Sequence, residues 1–362
     1  MGAADYGCAY MSKMLEETRQ QPTALARTLE EALASLGELR SRLERKRPRL
    51  VILVARGTSD NAAQFGRYLI EITTGIPVSL AAPSVTTLYR CPLELSDVLV
   101  VGISQSGEST DTNAVLEDAR SRGAATVAIT NEPASRMAAI AEHVLLARAG
   151  KEESVAATKT YTCQLMALYL LAYALGGAVH TRMLQRIPAW VERVLEMEDS
   201  IAEIAERYTF MVRAVTVGRG LNYSNALELG LKLMETCYVV TERFSAADLM
   251  HGPIAMVEHA FPIFVFAPAG VTWPSISEVL DLVKDLKADT LVFTDEANAG
   301  ACAKPARLIQ LPIRCDAAEG PADLYTPIPY IVPAQLFAAH LAWIKGLNPD
   351  RPRALHKITM TM

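Results

Sequence analysis

Cysteine is scarce and unpatterned in this chain, with six at positions 8, 91, 163, 237, 302 and 315. No two form a C-x-x-C pair and none has a histidine at zinc-ligand spacing, so neither a metal site nor a redox motif is expected. Cys163 and Cys237 fall in apolar helical stretches, which reads as free buried thiols in a reducing compartment. Long apolar runs are missing too. The longest, Leu165 to Val179, is broken by Gly176-Gly177 and falls short of the ~20 residues that span a bilayer. No membrane association is expected. The N-terminus lacks a cationic start followed by a long apolar block, so the expected compartment is the cytoplasm. A basic excess is absent as well: the net charge is -5, and nucleic acid is not an expected partner. The one basic run, Arg40 to Arg49, reads as a solvated helix end, where cations favour the dipole.

What remains is an ordinary globular composition, 51% apolar and 21% charged, over 362 residues, a length that suits two domains. Residues 1–49 read as helix, because Met14, Leu25, Leu29, Leu33, Leu36, Leu39 and Leu43 recur mostly at helical spacings. The rhythm then changes. Leu50–Ala55 is an unbroken aliphatic run, as in a strand buried on both faces of a parallel sheet. Further strands are expected at Val78–Leu80, Val98–Ile103, Thr126–Ile129 and Val144–Leu146, with helices between them. Strands alternating with helices predict an α/β fold with a doubly wound parallel sheet.

The order then recurs. Arg213–Gly220 repeats the sense of Val51–Gly57, and Ile263–Ala267 that of Val98–Ile103. A helix over 275–287 and a strand at Thr290–Thr294 complete the second copy, offset by about 163 residues. A long helical region over roughly 154–208 separates the copies, with breaks expected at Gly176-Gly177 and before Pro188. The tail from Asn348 is expected to be extended. The copies differ where the first has Ser104-Gln105-Ser106-Gly107-Glu108-Ser109 and the second has Pro268-Ala269-Gly270-Val271-Thr272.

The first of these segments is strand, tight loop, helix start. Backbone N–H groups and the hydroxyls of Ser104, Ser106 and Ser109 would converge there at a helix N-terminus, a setting that favours a phosphate. A simple serine cap needs only one hydroxyl. No lysine follows the glycine as in a P-loop nucleotidase. One phosphate site per chain is therefore expected.

Together with that loop, Gly57-Thr58-Ser59, Val155-Ala156-Ala157-Thr158-Lys159 and Ala226–Glu235 resemble the SIS (sugar isomerase) family. His251-Gly252-Pro253 and the tail Pro352–Lys357 share the resemblance, and all occur in the order found in the isomerase half of glucosamine-6-phosphate synthase. The resemblance implies two tandem SIS modules, at 50–208 and 209–347, with 1–49 a helical lead-in and 348–362 a tail completing the site. It further implies a sugar phosphate held by Ser59, Ser104, Gln105, Ser106 and Ser109. Val155, Ala156, Thr158 and His356 would lie alongside. Glu235 would move a proton between C1 and C2. His251 would open the sugar ring from the other subunit of a homodimer, and Lys357 could form a Schiff base. Glu228 and Lys232 would stand at the reacting centre. No metal or organic cofactor is implied.

Some of these roles have support in the residues alone. Glu228, Lys232 and Glu235 are spaced four and three apart and share a helix face. The same spacing would serve an exposed ion-pair ladder, but Leu227, Leu229, Leu231, Leu233 and Met234 favour an enclosed charged face. His251 sits before Gly252-Pro253 on an expected loop, whereas His143, His180, His259 and His340 read as structural or solvated. Lys357 would by default be solvated, and only the resemblance gives it a role.

The departures are instructive. Met234 and Met250 stand where the synthase has lysines, Ala247-Asp248 replaces Gly-Glu, and His356 replaces a small residue. No glutaminase domain precedes the first strand, so the expected reaction is loss of ammonia from an amino-sugar phosphate. A fructosamine-phosphate deglycase, an aldose–ketose isomerase and a non-catalytic sugar-phosphate regulator are the alternatives.

Overall fold

The computed structural model describes residues 12–302, 307–314 and 320–354. Helices α1 (Lys13–Arg19) and α2 (Gln21–Arg45) come first. The first module then alternates: β1 (Leu50–Val54), α3 (Thr58–Thr74), β2 (Val78–Leu80), α4 (Pro83–Thr87), β3 (Val98–Ser104), α5 (Thr110–Ser121), β4 (Ala125–Thr130), α6 (Arg136–Ile140) and β5 (His143–Leu146). Three helices follow, α7 (Lys159–Ala174), α8 (Thr181–Leu195) and α9 (Glu198–Glu206). The second module runs β6 (Arg213–Gly218), α10 (Tyr223–Cys237), β7 (Val240–Ser245), α11 (Ala246–Met250), β8 (Pro262–Phe266), α12 (Trp273–Asp285), β9 (Asp289–Asp295), α13 (Ala299–Cys302) and β10 (Arg307–Leu311). Helix α14 (Pro327–Ile344) closes the fold.

Both sheets have five parallel strands, ordered β2-β1-β3-β4-β5 and β10-β9-β8-β6-β7. Read from the second strand of each half, the two orders are the same, so the duplication is structural as well as sequential. The architecture is two tandem α/β modules. The chain leaves β1 in one direction to β2 and in the other to β3, so the strand order reverses between β1 and β3. In such sheets ligands bind at the carboxyl ends of the strands beside the switch point. Val54 pairs with Gly102, which brings the loop after β1 beside the loop after β3.

Apolar helices join the halves. In α7, Leu165 through Ala172 are all fully buried, and α14 is buried on nearly every side. A helix that is apolar all round is a core helix. By length and composition α14 could cross a bilayer, but 83% of it is buried inside the protein. It packs chiefly against α8, α9 and α10, and also meets α1 and α7.

The helical region between the copies differs from expectation. Helix starts only at Lys159, and no break precedes Pro188, which lies inside α8. Proline there removes one backbone bond, at a cost of ~3 kcal/mol. The buried face of Leu184, Ile187, Trp190, Val191 and Val194 keeps the helix continuous, and the turn comes at Glu196-Met197. The described part of the tail is not extended either. Residues 348–354 turn back on the protein: Asp350 accepts the N–H groups of Lys13 and Met14, both at 2.9 Å, and Arg353 stacks 3.9 Å from the Tyr238 ring centroid. The basic run ends α2 as expected and is paired with Glu44, Glu142 and Asp97.

Candidate active site

The serine loop occupies the turn from β3 to α5. Ser104 closes β3 and is buried; Gln105, Ser106 and Ser109 are half-buried. Ser104 Oγ accepts the Gly107 N–H and Ser106 Oγ accepts the Glu108 N–H, both at 3.2 Å. Each hydroxyl hydrogen thereby stays available to donate outward. Ser109 holds the N-cap position of α5 without capping a backbone N–H, and its hydroxyl meets Thr112 Oγ1 at 3.0 Å. The loop is pinned from behind, since the Gly107 carbonyl accepts from Asn113 Nδ2 and from the Met137 N–H, each at 3.0 Å.

Gly107 has φ +66°, and a Cβ built on it would lie 2.2 Å from Ser135 Oγ. Gly107→Ala is therefore expected to cost about 2–3 kcal/mol and to weaken the phosphate binding expected of this loop at least ~10-fold, because both the turn and its backing shift. Thermal melts and a calorimetric titration with a phosphorylated ligand measure both effects. Unchanged affinity in a folded variant would remove this loop from the ligand site.

Glu228, Lys232 and Glu235 lie on α10, which packs across α3. They are not an exposed ladder. Glu228 is fully buried and Lys232 is 1% exposed. Lys232 Nζ lies 2.7 Å from Glu235 and 3.5 Å from Glu228. The first turn of α3 satisfies the rest: Asn61 Nδ2 donates to Glu228 at 2.7 Å, and Thr58 Oγ1 donates to its other oxygen at 3.1 Å. The same Thr58 oxygen accepts from Lys232 at 3.3 Å. Burial pushes the Glu228 carboxyl above its ordinary range, against the opposing pull of Lys232 and these hydrogen bonds. For Lys232 burial acts downward, but the two carboxylates outweigh it and hold the ammonium above the usual lysine value. Lys232 is thus a fixed cation. Of the three side chains only Glu235, 24% exposed, is open to a ligand.

Ser59 is buried, and its Oγ accepts from Gln164 Nε2 on α7 at 2.9 Å. Ala156 and Thr158 are buried and Val155 is half-buried in the segment before α7. There the Thr158 N–H meets Glu152 at 2.8 Å. Thr58 and Ser59, the serine loop and, through Thr58, the α10 charges therefore gather around one switch point. His251 is not among them. It is exposed at the end of α11, where its backbone N–H donates to the carbonyls of Ala247 and Asp248. His356 and Lys357 lie outside the described residues.

Sequence reasoning missed Thr58 as a partner of Glu228 and Lys232, and missed Asn61 and Glu152 altogether. The three-residue spacing of Thr58 and Asn61 places both on one face of the first turn of α3, and that spacing was the available signal. The corresponding edge of the second sheet carries no serine cradle. Gly270 has φ +124° there and Val271 is 78% exposed.

Paired doubly wound modules, one with an anion-suited loop at its switch point, define a tandem α/β protein. The SIS domain model matches residues 45–174 and 212–345, so the chain belongs to the SIS family and carries two copies. It is homologous to the isomerase portion of glutamine–fructose-6-phosphate aminotransferases. The Methanothermobacter thermautotrophicus enzyme is 36% identical over 347 residues, covering 95% of this chain and 56% of that protein. The Pyrococcus horikoshii enzyme is also 36% identical, covering 96% and 57%. The chain thus spans a little over half the length of these relatives. Among solved structures, the C-terminal domain of the Francisella tularensis glucosamine-fructose-6-phosphate aminotransferase is similar at TM-score 0.86 and 28% identity, over 97% of this chain and 100% of that one. Glucosamine-6-phosphate deaminase from Thermotoga maritima shares the fold, at TM-score 0.76 and 21% identity over 97% of this chain and 100% of that one.

Proposed function

We propose that this chain is an isomerising amino-sugar phosphate enzyme, converting glucosamine 6-phosphate and water to fructose 6-phosphate and ammonia. The observation that carries the reading is the Glu228–Lys232–Glu235 set, joined through Thr58 to the switch point that bears the serine loop. Ser59, Ser104, Gln105, Ser106 and Ser109 hold the phosphate. Val155, Ala156 and Thr158 lie beside the sugar.

The proposed reaction assigns each of these residues a step. His251, supplied by the partner subunit of a homodimer, opens the ring to the aldehyde. Glu235 removes the C2 proton and returns it to C1, while a second proton passes from the C2 amino nitrogen to the C1 oxygen, which leaves C1 as an alcohol and C2 as a ketimine. Water adds at C2, and ammonia departs as the C2 carbonyl forms. Lys232, fixed between two carboxylates, steadies the negative charge that develops during proton transfer. Lys357 and His356 complete the site from the tail, and the working modules are 50–208 and 209–347, between the 1–49 lead-in and the 348–362 tail. Methionine at 234 and 250, where the resemblance has lysines, supports a site that releases ammonia rather than one that receives it from a donor.

Incubating the protein with glucosamine 6-phosphate is expected to yield ammonia and fructose 6-phosphate in equal amounts. Turnover of a fructosamine phosphate without ammonia release from glucosamine 6-phosphate would replace this reading with the deglycase.

A further inference from the structure

The segment between β5 and α7 carries Val155, Ala156 and Thr158 and has no helix or strand of its own. A twelve-residue connection without secondary structure leaves many backbone N–H groups to be satisfied by other means. Two buried carboxylates supply the partners. Glu152, 6% exposed, closes the segment on itself by accepting the N–H groups of Thr158 at 2.8 Å and Thr160 at 3.2 Å. Glu17, 3% exposed, comes from outside it, on α1. One Glu17 oxygen accepts the Glu153 N–H and the other accepts the Ser154 N–H at 3.1 Å.

The rest of the segment is stitched to α2 and the turn before it. Arg27 Nε donates to the Arg148 carbonyl at 2.7 Å, and Thr28 Oγ1 to the Ala147 carbonyl at 2.5 Å. Arg148 pairs with Glu31 at 2.6 Å. Lys159, itself 3% exposed, donates to Gln20 Oε1 at 2.7 Å and to the Lys151 carbonyl at 2.5 Å. Among these contacts Glu17 differs in kind. Arginines and threonines at a helix surface are ordinary, but a carboxylate sealed from water costs stability unless its bonds offset the cost. Burial indeed pushes the Glu17 carboxyl above the usual range. A leucine would suit that face of α1 better, unless the two N–H groups it meets must be held in place.

We infer that Glu17 is a positioning residue for the sugar-phosphate site: α1 and α2 brace the 147–158 segment, and the Glu17 carboxylate fixes Glu153 and Ser154 so that Val155–Thr158 face the ligand. This rests on the reading above that Val155, Ala156 and Thr158 lie beside the sugar. It assigns the helical lead-in a part in ligand binding, although it lies outside both alternating β/α modules.

The test is Glu17→Gln in the full chain, with Glu16→Gln on the same helix as control. Glutamine can accept only one of the two N–H groups and opposes its own NH2 to the other. Hydrogen exchange at the Glu153 and Ser154 amides is expected to rise at least ~10-fold, and KM for glucosamine 6-phosphate to rise about 10-fold with kcat within about 3-fold, the pattern of lost uniform binding. The dissociation constant for fructose 6-phosphate, read by calorimetry, should rise in parallel, and Glu16→Gln should change none of these. A lower melting temperature with exchange in 151–158 and KM both unchanged would overturn the inference. So would a fall in kcat at constant KM. Should Glu17→Gln fail to fold, exchange in the wild type decides: fast exchange at both amides refutes the clamp, and protection matching that of α1 supports it. The exchange and calorimetric arms need no turnover. A wild type that releases no ammonia therefore counts against the proposed reaction and not against the clamp.

Discussion

Replacing Glu235 by glutamine is expected to lower turnover of glucosamine 6-phosphate by ~10³-fold or more, within the range for loss of a general acid–base group. Affinity for fructose 6-phosphate should stay within about 3-fold, because the phosphate and sugar contacts proposed for the serine loop and Val155–Thr158 do not involve this carboxylate. The fold should tolerate the change. Glutamine is nearly isosteric and can still accept from Lys232 Nζ, which now stands 2.7 Å from the carboxylate. Two assays separate the outcomes. Titration calorimetry reports binding, and deuterium uptake at C1 of fructose 6-phosphate in heavy water reports proton transfer without any need for ammonia. The variant should bind and take up no deuterium. Lost binding, or deuterium uptake at the wild-type rate, would remove Glu235 from the proton path.

Glu235 is also the better candidate on geometry. Glu228 is fully buried, and its oxygens are already engaged by Asn61, Thr58 and Lys232. A base must reach the carbon acid, and a carboxylate sealed on every side cannot. Glu228 instead supplies the second negative charge that keeps Lys232 cationic. The division of labour follows from one helix. Positions 228 and 232 face the packed joint with α3, while 235, a turn further on, emerges at its rim.

The fold was legible where the physics is local. Leu50–Ala55 and Val98–Ile103 read as strands because a parallel sheet buries both faces, which leaves an unbroken apolar run, and the strands observed run Leu50–Val54 and Val98–Ser104. The edge strand β7, Val-Thr-Glu-Arg-Phe-Ser, escaped notice because one side of an edge is wet and its residues need not be apolar. The short edge strand β10 was missed as well. Pro188 misled for a related reason. Its local preference against helix is real, but six buried apolar residues on α8 outweigh it, and that burial depends on α2 and α14. In the site, the serine loop was readable because three hydroxyls and a glycine stand within six residues. The bonds from Thr58 and Asn61 to Glu228 cross about 170 residues of chain, and no window of sequence carries such a pairing.

Replacing Lys232 by methionine is expected to be the most destabilising single change in the site, by about 3–5 kcal/mol at neutral pH, since it strands Glu228 and Glu235 without their shared cation. For a chain of 362 residues unfolding as one unit, that corresponds to a fall in melting temperature of roughly 4–7 °C. Methionine fills most of the volume, so the loss is electrostatic rather than a cavity. The pH dependence separates the two. The Glu228 carboxyl is raised in the folded protein, so its charged form opposes folding, and protonation relieves that opposition as pH falls through the folded pKa toward the unfolded value. Without Lys232 the folded value rises further. The deficit of the variant should therefore be largest near pH 8 and shrink toward pH 5. Lys232 itself adds no slope there, because its raised pKa keeps it charged in both states well above that range. A deficit equal at both pH values would mean that packing, not charge, was lost. Adding Glu228→Gln should then restore part of the stability at pH 8, because the neutral amide no longer needs a cation, without restoring turnover.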